Sequence, residues 1–503
     1  MAKKGLQVLN TEDWWAVWFG FVIIIIAIIG FAGKAPKVGE WVTNPLSAFQ
    51  SYTRSVPLET RPADLELTGT PAKKLKYDPD KKLLIYQGLM TADQRDVYKN
   101  LSIDPLYQAA IDGLYASRPL AQGNNLFAVL VLLVALGLLT TIGMRAMGED
   151  ALRYLSGFAM VFVLAIIAYI FAKQYTINAY GLGYAFWALA LGLLISNTIG
   201  VPRWLLAGAK TELYIKTGLV LLGAEILFNK ILKLGGPGLF VAWLVTPTVI
   251  FFMYLFGTKF LKMTSKRLVI IVAAATSVCG VSAAIATAAS CKAKKEELTL
   301  AVGMTLIFTV LMMIFMPMAI KWMGLDFIIG AAWMGGTIDA TGAVVAAGAF
   351  LGPEAEQVAA VVKMIQNILI GVVAFCVAVF WVTRVERDPH GPKPKAMEIW
   401  YRFPKFIVGF VGASLVFSFL LVPALGSTAV EKDIIGAMTK TLRGWLFCLA
   451  FVSIGLESNF RDLAGQVVGG KPIWLYIVGQ SFNLVLTLFA AWLAFGGILF
   501  ALQ

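Results

Sequence analysis

TSVCGVSAAIATA, residues 276–288, lies within an apolar run extending from 266 to 290. The run is long enough to cross a bilayer core of about 30 Å as a helix. Yet its centre holds Thr276, Ser277, Cys279, Gly280, Ser282 and Thr287. Glycine weakens a helix and lets another backbone approach closely. Hydroxyls in low dielectric need partners. Two readings stay open. Either the span breaks at Gly280 and exposes amides able to hold an anion, or its small residues form a packing face for another helix.

Apolar windows of this length recur along the chain. Of its 503 residues, 59% are hydrophobic and 14% charged, against about 25% charged in a typical soluble domain. Spans must satisfy their own backbone hydrogen bonds, so continuous apolar runs predict helices. They do not alternate, so strands are not expected. The fold class is therefore an all-α polytopic membrane protein with about 13 membrane segments. The net charge of +13 comes from basic residues in short loops, where they set orientation rather than bind nucleic acid. Lys3 and Lys4 predict a cytoplasmic N-terminus and a multi-pass protein of the bacterial inner membrane. Trp and Tyr near span ends read as interface anchors.

The domain division reads as an N-terminal membrane helix (1–33), an extracytoplasmic polar segment with short helices (34–123) and a transporter domain (124–503). Within the polar segment, 91–101 predicts a helix with a Thr91/Gln94 capping box. Residues 104–119 predict another, with Asp104 at the N-cap and Pro105 at the first helical position. Cys279, Cys291, Cys376 and Cys448 all fall in or beside apolar runs, so no disulfide framework is expected. The single histidine, His390, excludes a His-based metal centre or triad. There is no nucleotide loop or nucleophile–base pair, so an enzyme is not expected.

A second stretch repeats the style of the first. GGTIDATGAVVAAG (335–348) carries Thr337, Asp339 and Thr341 inside an apolar run. An aspartate there costs about 2.5–3.5 kcal/mol on insertion scales, which makes a use or a partner the default. Lys363, Gln366 and Asn367 follow on one side of the next span. Lys363 either neutralises Asp339 or faces an anion. Glu212 and Lys216 are spaced for a local pair.

Two distant stretches also match each other. Gly223, Glu225 and Phe228 have the spacing of Gly455, Glu457 and Phe460. The spans carrying them are seven apart, which predicts opposite orientations, Glu225 outside and Glu457 inside. Inverted repeats of this kind mark secondary transporters, here spanning roughly 150–323 and 324–503, with broken helices crossing near the midplane.

TSVCGVSAAIATA, GGTIDATGAVVAAGAFLGPEAEQVAAVVKM and the GLES-containing penultimate span resemble the YeiH-like sulfate exporter family of bacterial inner-membrane transporters. The likeness covers roughly residues 150–503. It implies inverted repeats with broken helices and a sulfate, sulfite or sulfonate-derived substrate. The chain departs from the pattern: Asp339-Ala340 stands where the family has His-Glu, Gln366 where it has Arg, and Glu225 where Arg is expected. The site is less positive than the family's.

The expected function is secondary active transport of a small polar solute, an inorganic anion or a small carboxylate. Ser277, Cys279, Gly280, Ser282, Thr337, Asp339, Thr341 and Lys363 are the candidate solute-binding residues. Asp339, Glu225 and Glu457 are candidates for the coupling ion. No cofactor is expected beyond a coupling Na+ or H+. The expected partners are the solute and the bilayer; a homodimer is compatible with the chain, and nucleic acid is not expected. Cation/proton antiport is the alternative, because three acids lie in spans. A membrane sensor or channel using 34–123 is the alternative of another class.

Overall fold

The computed structural model describes residues 11–30, 34–60, 62, 75–87, 90, 92–102, 104–117, 120–179, 183–225, 228–385, 400, 403–459 and 470–500. The sequence expectations at Lys3, Lys4, Thr91, His390 and Phe460, and at the Gln94 and Phe228 side chains, lie outside what is described.

The chain divides into two compact units. One comprises Ala35–Gly137 with Ile166–Tyr184; the other comprises Met1–Lys34, Leu138–Ala165 and Ala185–Gln503. The first contains a feature the periodicity did not predict, a four-stranded antiparallel sheet. Strands β1 (Gln50–Pro57), β2 (Leu75–Asp78), β3 (Leu83–Gln87) and β4 (Leu120–Asn124) lie in the order β2-β3-β1-β4. The absence of strands therefore fails for the polar segment. Leu75, Leu84, Tyr86, Tyr98, Tyr107, Ile111 and Leu114 form its core. That core is built by packing a sheet against two helices, and short half-buried strands carry too few residues to stand out beside runs of twenty apolar ones.

Both expected helices of this unit are present: α2 (Ala92–Lys99) and α3 (Pro105–Ala116), following α1 (Glu12–Ile29) of the other unit. Asp104 Oδ1 accepts from the Leu106 amide at 2.8 Å, with Pro105 behind it. At the other end, Arg54 Nη1 donates to the Leu114 and Tyr115 carbonyls at 2.8 and 2.6 Å. Lys99 joins α2 to Asp112 of α3 at 2.8 Å. Asp104→Ala removes the cap, which is worth about 1 kcal/mol. In the full chain, α3 amides should then exchange hydrogen several-fold faster while the membrane helices keep their protection.

In the larger unit the longer helices are α4 (Leu126–Ala146), α5 (Ala151–Lys173), α6 (Tyr184–Thr198), α7 (Thr211–Glu225), α8 (Phe228–Leu255), α9 (Lys266–Ala274), α10 (Gly280–Ser290), α11 (Lys295–Trp322), α12 (Phe327–Thr337), α13 (Thr341–Leu351), α14 (Pro353–Phe380), α15 (Lys405–Val416), α16 (Lys440–Glu457) and α17 (Lys471–Phe495). The first two of these are shared with the smaller unit. Ten helical stretches are long and apolar enough to cross a membrane among the described residues. The all-α polytopic reading holds for this unit.

Two expected spans are broken. A π-turn, Ala275–Cys279, separates α9 from α10. Extended residues at Ile338 and Ala340 separate α12 from α13. Such interruptions are tolerated at membrane depth only inside protein or beside a wet cavity. The helix α7 is buried nearly all round. It runs antiparallel to α16, because its Thr211 reaches Glu457 at one end while Glu225 reaches Arg443 at the other. Gly218 makes room between them for the Phe447 ring.

Candidate functional site

The two breaks meet. A Cβ built on Gly280 would lie 2.5 Å from the Thr305 methyl, 3.2 Å from the Asp339 carbonyl oxygen and 3.4 Å from the Asp339 Cβ. Only glycine fits where the broken strands of backbone cross. Cys279 Sγ lies 3.8 Å from Thr341 Oγ1 across the same gap. The sequence-level choice between a helix break and a small-residue packing face is settled in favour of a break that is also a close packing point.

A helix end leaves several backbone groups unpaired, so each break creates carbonyls on one side and amides on the other. The protein closes the carbonyl side with side chains. Asn483 donates to the Thr276 carbonyl at 3.0 Å. Thr246 and Gln366 donate to the Ser277 carbonyl at 3.0 and 2.9 Å. Lys363 donates to the Val278 carbonyl at 2.5 Å. At the second break, Gln366 donates to the Gly336 carbonyl at 2.9 Å and Gln480 to the Thr337 carbonyl at 3.1 Å.

The amide side is treated differently. The outer halves of both spans are capped: Ser265 accepts from the Leu268 amide ahead of α9, and Asp326 from the Ile328 and Ile329 amides ahead of α12. In the inner halves the preceding residues do not do this: neither Cys279 ahead of α10 nor Ala340 ahead of α13 caps its own helix through its side chain. Two helix N-termini thus come together at one place without a cap from the residue that precedes each, and each is the positive end of a helix dipole.

A cavity of about 410 Å³ adjoins them. Cys279, Ser282, Thr341 and Asn367 line it beside Asp13, Glu212 and Lys216. Asn367 Nδ2 donates to Thr341 Oγ1 at 2.9 Å. Lys216 pairs with Asp13 at 2.8 Å as well as with Glu212 at 3.3 Å, so the expected local pair is shared with α1. Asp13 also accepts from the Lys405 amide at 2.9 Å and so caps α15.

The structure thus sorts the expected site residues. Cys279, Ser282 and Thr341 line the cavity, and Gly280 is the crossing itself. Ser277, Thr337, Asp339 and Lys363 are sealed behind it, each 1% exposed. Lys363 spends its ammonium on the Val278 carbonyl and on Gln366 Oε1 at 2.7 Å. It makes no ion pair with Asp339 among the described residues. Asp339 Oδ2 instead accepts from the Tyr476 hydroxyl, whose ring stacks on Phe308. Tyr476 is fully buried, so the general reading of Trp and Tyr near span ends as interface anchors does not extend to it.

Glu225 and Glu457 are elsewhere, at opposite ends of the α7–α16 pair. Glu457 accepts from Thr211 at 3.0 Å. Glu225 receives Arg443 Nε at 2.7 Å and Nη2 at 3.1 Å, and Arg443 Nη1 also donates to Glu356. This buried Glu–Arg–Glu group was missed in the sequence, although an arginine in the apolar run KTLRGWLF was a visible signal. Tyr476, Gln480, Asn483 and Thr487 were missed as well. Their spacing places them along one face of α17. All four cysteines are free thiols.

A family model described as Conserved hypothetical protein 698 matches residues 156–476. The chain is similar to the UPF0324 membrane protein RB9488 of Rhodopirellula baltica, 48% identical over 489 residues, covering 97% of this chain and 90% of that one. It is 55% identical over 369 residues to a UPF0324 membrane protein of Nitratidesulfovibrio vulgaris, covering 73% of this chain and 63% of that one. It is 26% identical over 518 residues to the UPF0324 membrane protein NE0724 of Nitrosomonas europaea, covering 93% and 92%. No solved structure matches.

Proposed function

The chain belongs to the family described as Conserved hypothetical protein 698, whose relatives above are UPF0324 membrane proteins, and on that premise we propose that it is a secondary active transporter of a small anion. The solute class is sulfate-, sulfite- or sulfonate-like, or a small carboxylate. Transport is coupled to Na+ or H+, in the inner membrane with the N-terminus cytoplasmic. One observation carries the reading: two helices restart, with no side-chain cap from the residue before them, beside a cavity of about 410 Å³, while side chains close the facing carbonyls of Thr276, Ser277, Val278, Gly336 and Thr337. Helix N-termini placed in that way favour negative charge. The volume lies within the usual range for a small-molecule site, roughly 300–1,000 Å³.

The inverted-repeat reading has its own support. The matched glycines play matched roles on antiparallel helices. Gly223 of α7 presses on the Phe410 carbonyl of α15, and Gly455 of α16 presses on Gly192 of α6. In segment order these are the fifth against the eleventh and the twelfth against the fourth, which is how a two-fold relation offset by seven segments pairs them.

Purified protein in sealed vesicles tests the proposal. Radiolabelled sulfate, sulfite or a small carboxylate should accumulate when a Na+ or proton gradient is imposed, and not in empty vesicles. Cation-driven pH changes with no flux of any such anion would favour cation/proton antiport instead.

A further inference from the structure

Four buried residues around the second break each carry a side-chain oxygen without a hydrogen-bond partner, and three of them commit another group to the protein. Asp339 Oδ2 accepts from Tyr476, and Oδ1 has no hydrogen-bond partner. The Thr337 carbonyl accepts from Gln480, and Thr337 Oγ1 has no partner. Gln480 Nε2 donates to that carbonyl at 3.1 Å and approaches Met312 Sδ at 2.8 Å, which leaves Gln480 Oε1 without a partner. Thr305 Oγ1 has none either, and its methyl faces Gly280 beside Asp339. None of the four residues is more than 4% exposed.

Single orphaned oxygens are rare in folded proteins, because an unpaired buried polar group costs about 1–3 kcal/mol. Four around one break, one of them a carboxylate oxygen, point to a shared ligand. We propose that these oxygens hold a sodium ion on the Asp339 side of the break, and that this ion couples to the anion on the Thr341 side.

The chemistry selects the ligand. The leftover atoms are one carboxylate, two hydroxyl and one amide oxygen, the hard donors that suit a hard cation. A proton on Asp339 would satisfy one of the four and leave three. Ca2+ takes about six to eight oxygens and Mg2+ a near-octahedral set that keeps several waters, more than these four oxygens supply. Lys363 does not supply the balancing charge by direct contact, since its ammonium is bound to a carbonyl and an amide.

The coupling follows from two residues of chain. Asp339 sits in the middle of the extended link, and Thr341 begins α13 beside the cavity. A cation at Asp339 adds to the positive end of the α13 dipole, so each ion raises the affinity for the other. By linkage the two effects are equal. This coupling half rests on the transporter reading above; the binding half does not.

The full chain, purified in detergent in choline chloride, tests the binding half. Its thermal midpoint is followed while NaCl or KCl replaces choline at constant ionic strength. A saturable rise with Na+ alone is expected. Asp339→Asn should abolish it. Thr337→Val should weaken the apparent Kd about tenfold, the worth of one lost oxygen ligand near 1.4 kcal/mol. Glu457→Gln should change nothing. Equal responses to K+ and Na+, or a wild-type Na+ response in Thr337→Val and Asp339→Asn, would overturn the proposal. Should Asp339→Asn not fold, the Thr337→Val titration decides alone. Anion flux driven by a pH gradient with no Na+ response would overturn this site and leave the transporter reading standing. A Na+ response without anion flux would do the reverse.

Discussion

Arg443→Ala should cost the membrane unit about 3–5 kcal/mol, the usual consequence of removing one partner from a buried ion pair. Arg443 is the cation between Glu225 and Glu356, and the side chains of all three are at most 7% exposed. Without it two carboxylates face each other across a dry gap between α7, α14 and α16. The thermal midpoint in detergent should fall sharply and the yield of folded protein with it. The charge account predicts a rescue. A triple variant, Arg443→Met with Glu225→Gln and Glu356→Gln, removes all three charges and should recover most of the loss. If Arg443→Ala melts like the wild type, the group has no structural weight.

Gly280→Val should leave a folded protein with solute affinity lowered by roughly 5–150-fold, the equivalent of about 1–3 kcal/mol of overpacking. The position has no room: the added Cβ meets the Thr305 methyl at 2.5 Å and the Asp339 carbonyl oxygen at 3.2 Å. The clash is relieved by separating the two breaks, which moves the N-termini of α10 and α13 apart. Gly280→Ala should show a smaller loss. Thr305→Ser, which removes the obstructing methyl and keeps the hydroxyl, should partly restore it. Flux measured at several solute concentrations separates this from general damage, because the defect should appear as weaker binding.

The breaks were legible because polar residues clustered at the middle of otherwise apolar runs: Ser277 to Ser282 in one, Thr337 to Thr341 in the other. Their meeting was not. It depends on the tertiary fit of Gly280 against Asp339, which no local pattern encodes. Lys363 shows the limit well. Its charge and face were readable, but its use, capping the Val278 carbonyl, depends on a helix end 85 residues away in the chain. Tyr476 was not singled out because tyrosine near the start of a terminal span has the composition of an interface anchor. It is buried against the Phe308 ring of α11 and the Asp339 carboxylate of the second break. Arg443 and Glu356 were legible only singly, as charges in apolar surroundings; the pairing with Glu225 is created by the antiparallel contact of α7 with α16. The sheet between residues 50 and 124 escaped because its strands are short and separated by polar connections, while two well-capped helices drew the reading toward helix.

The account depends on two helix N-termini that restart at one place without a cap from the residues before them. The most direct measurement is a structure determined with a transported anion, sulfate or a small carboxylate, present at saturating concentration. The anion should lie in the cavity with its oxygens about 2.7–3.2 Å from backbone amides at the starts of α10 and α13, close to Ser282 and Thr341. An anion held elsewhere, with those amides closed by protein groups, would contradict the account.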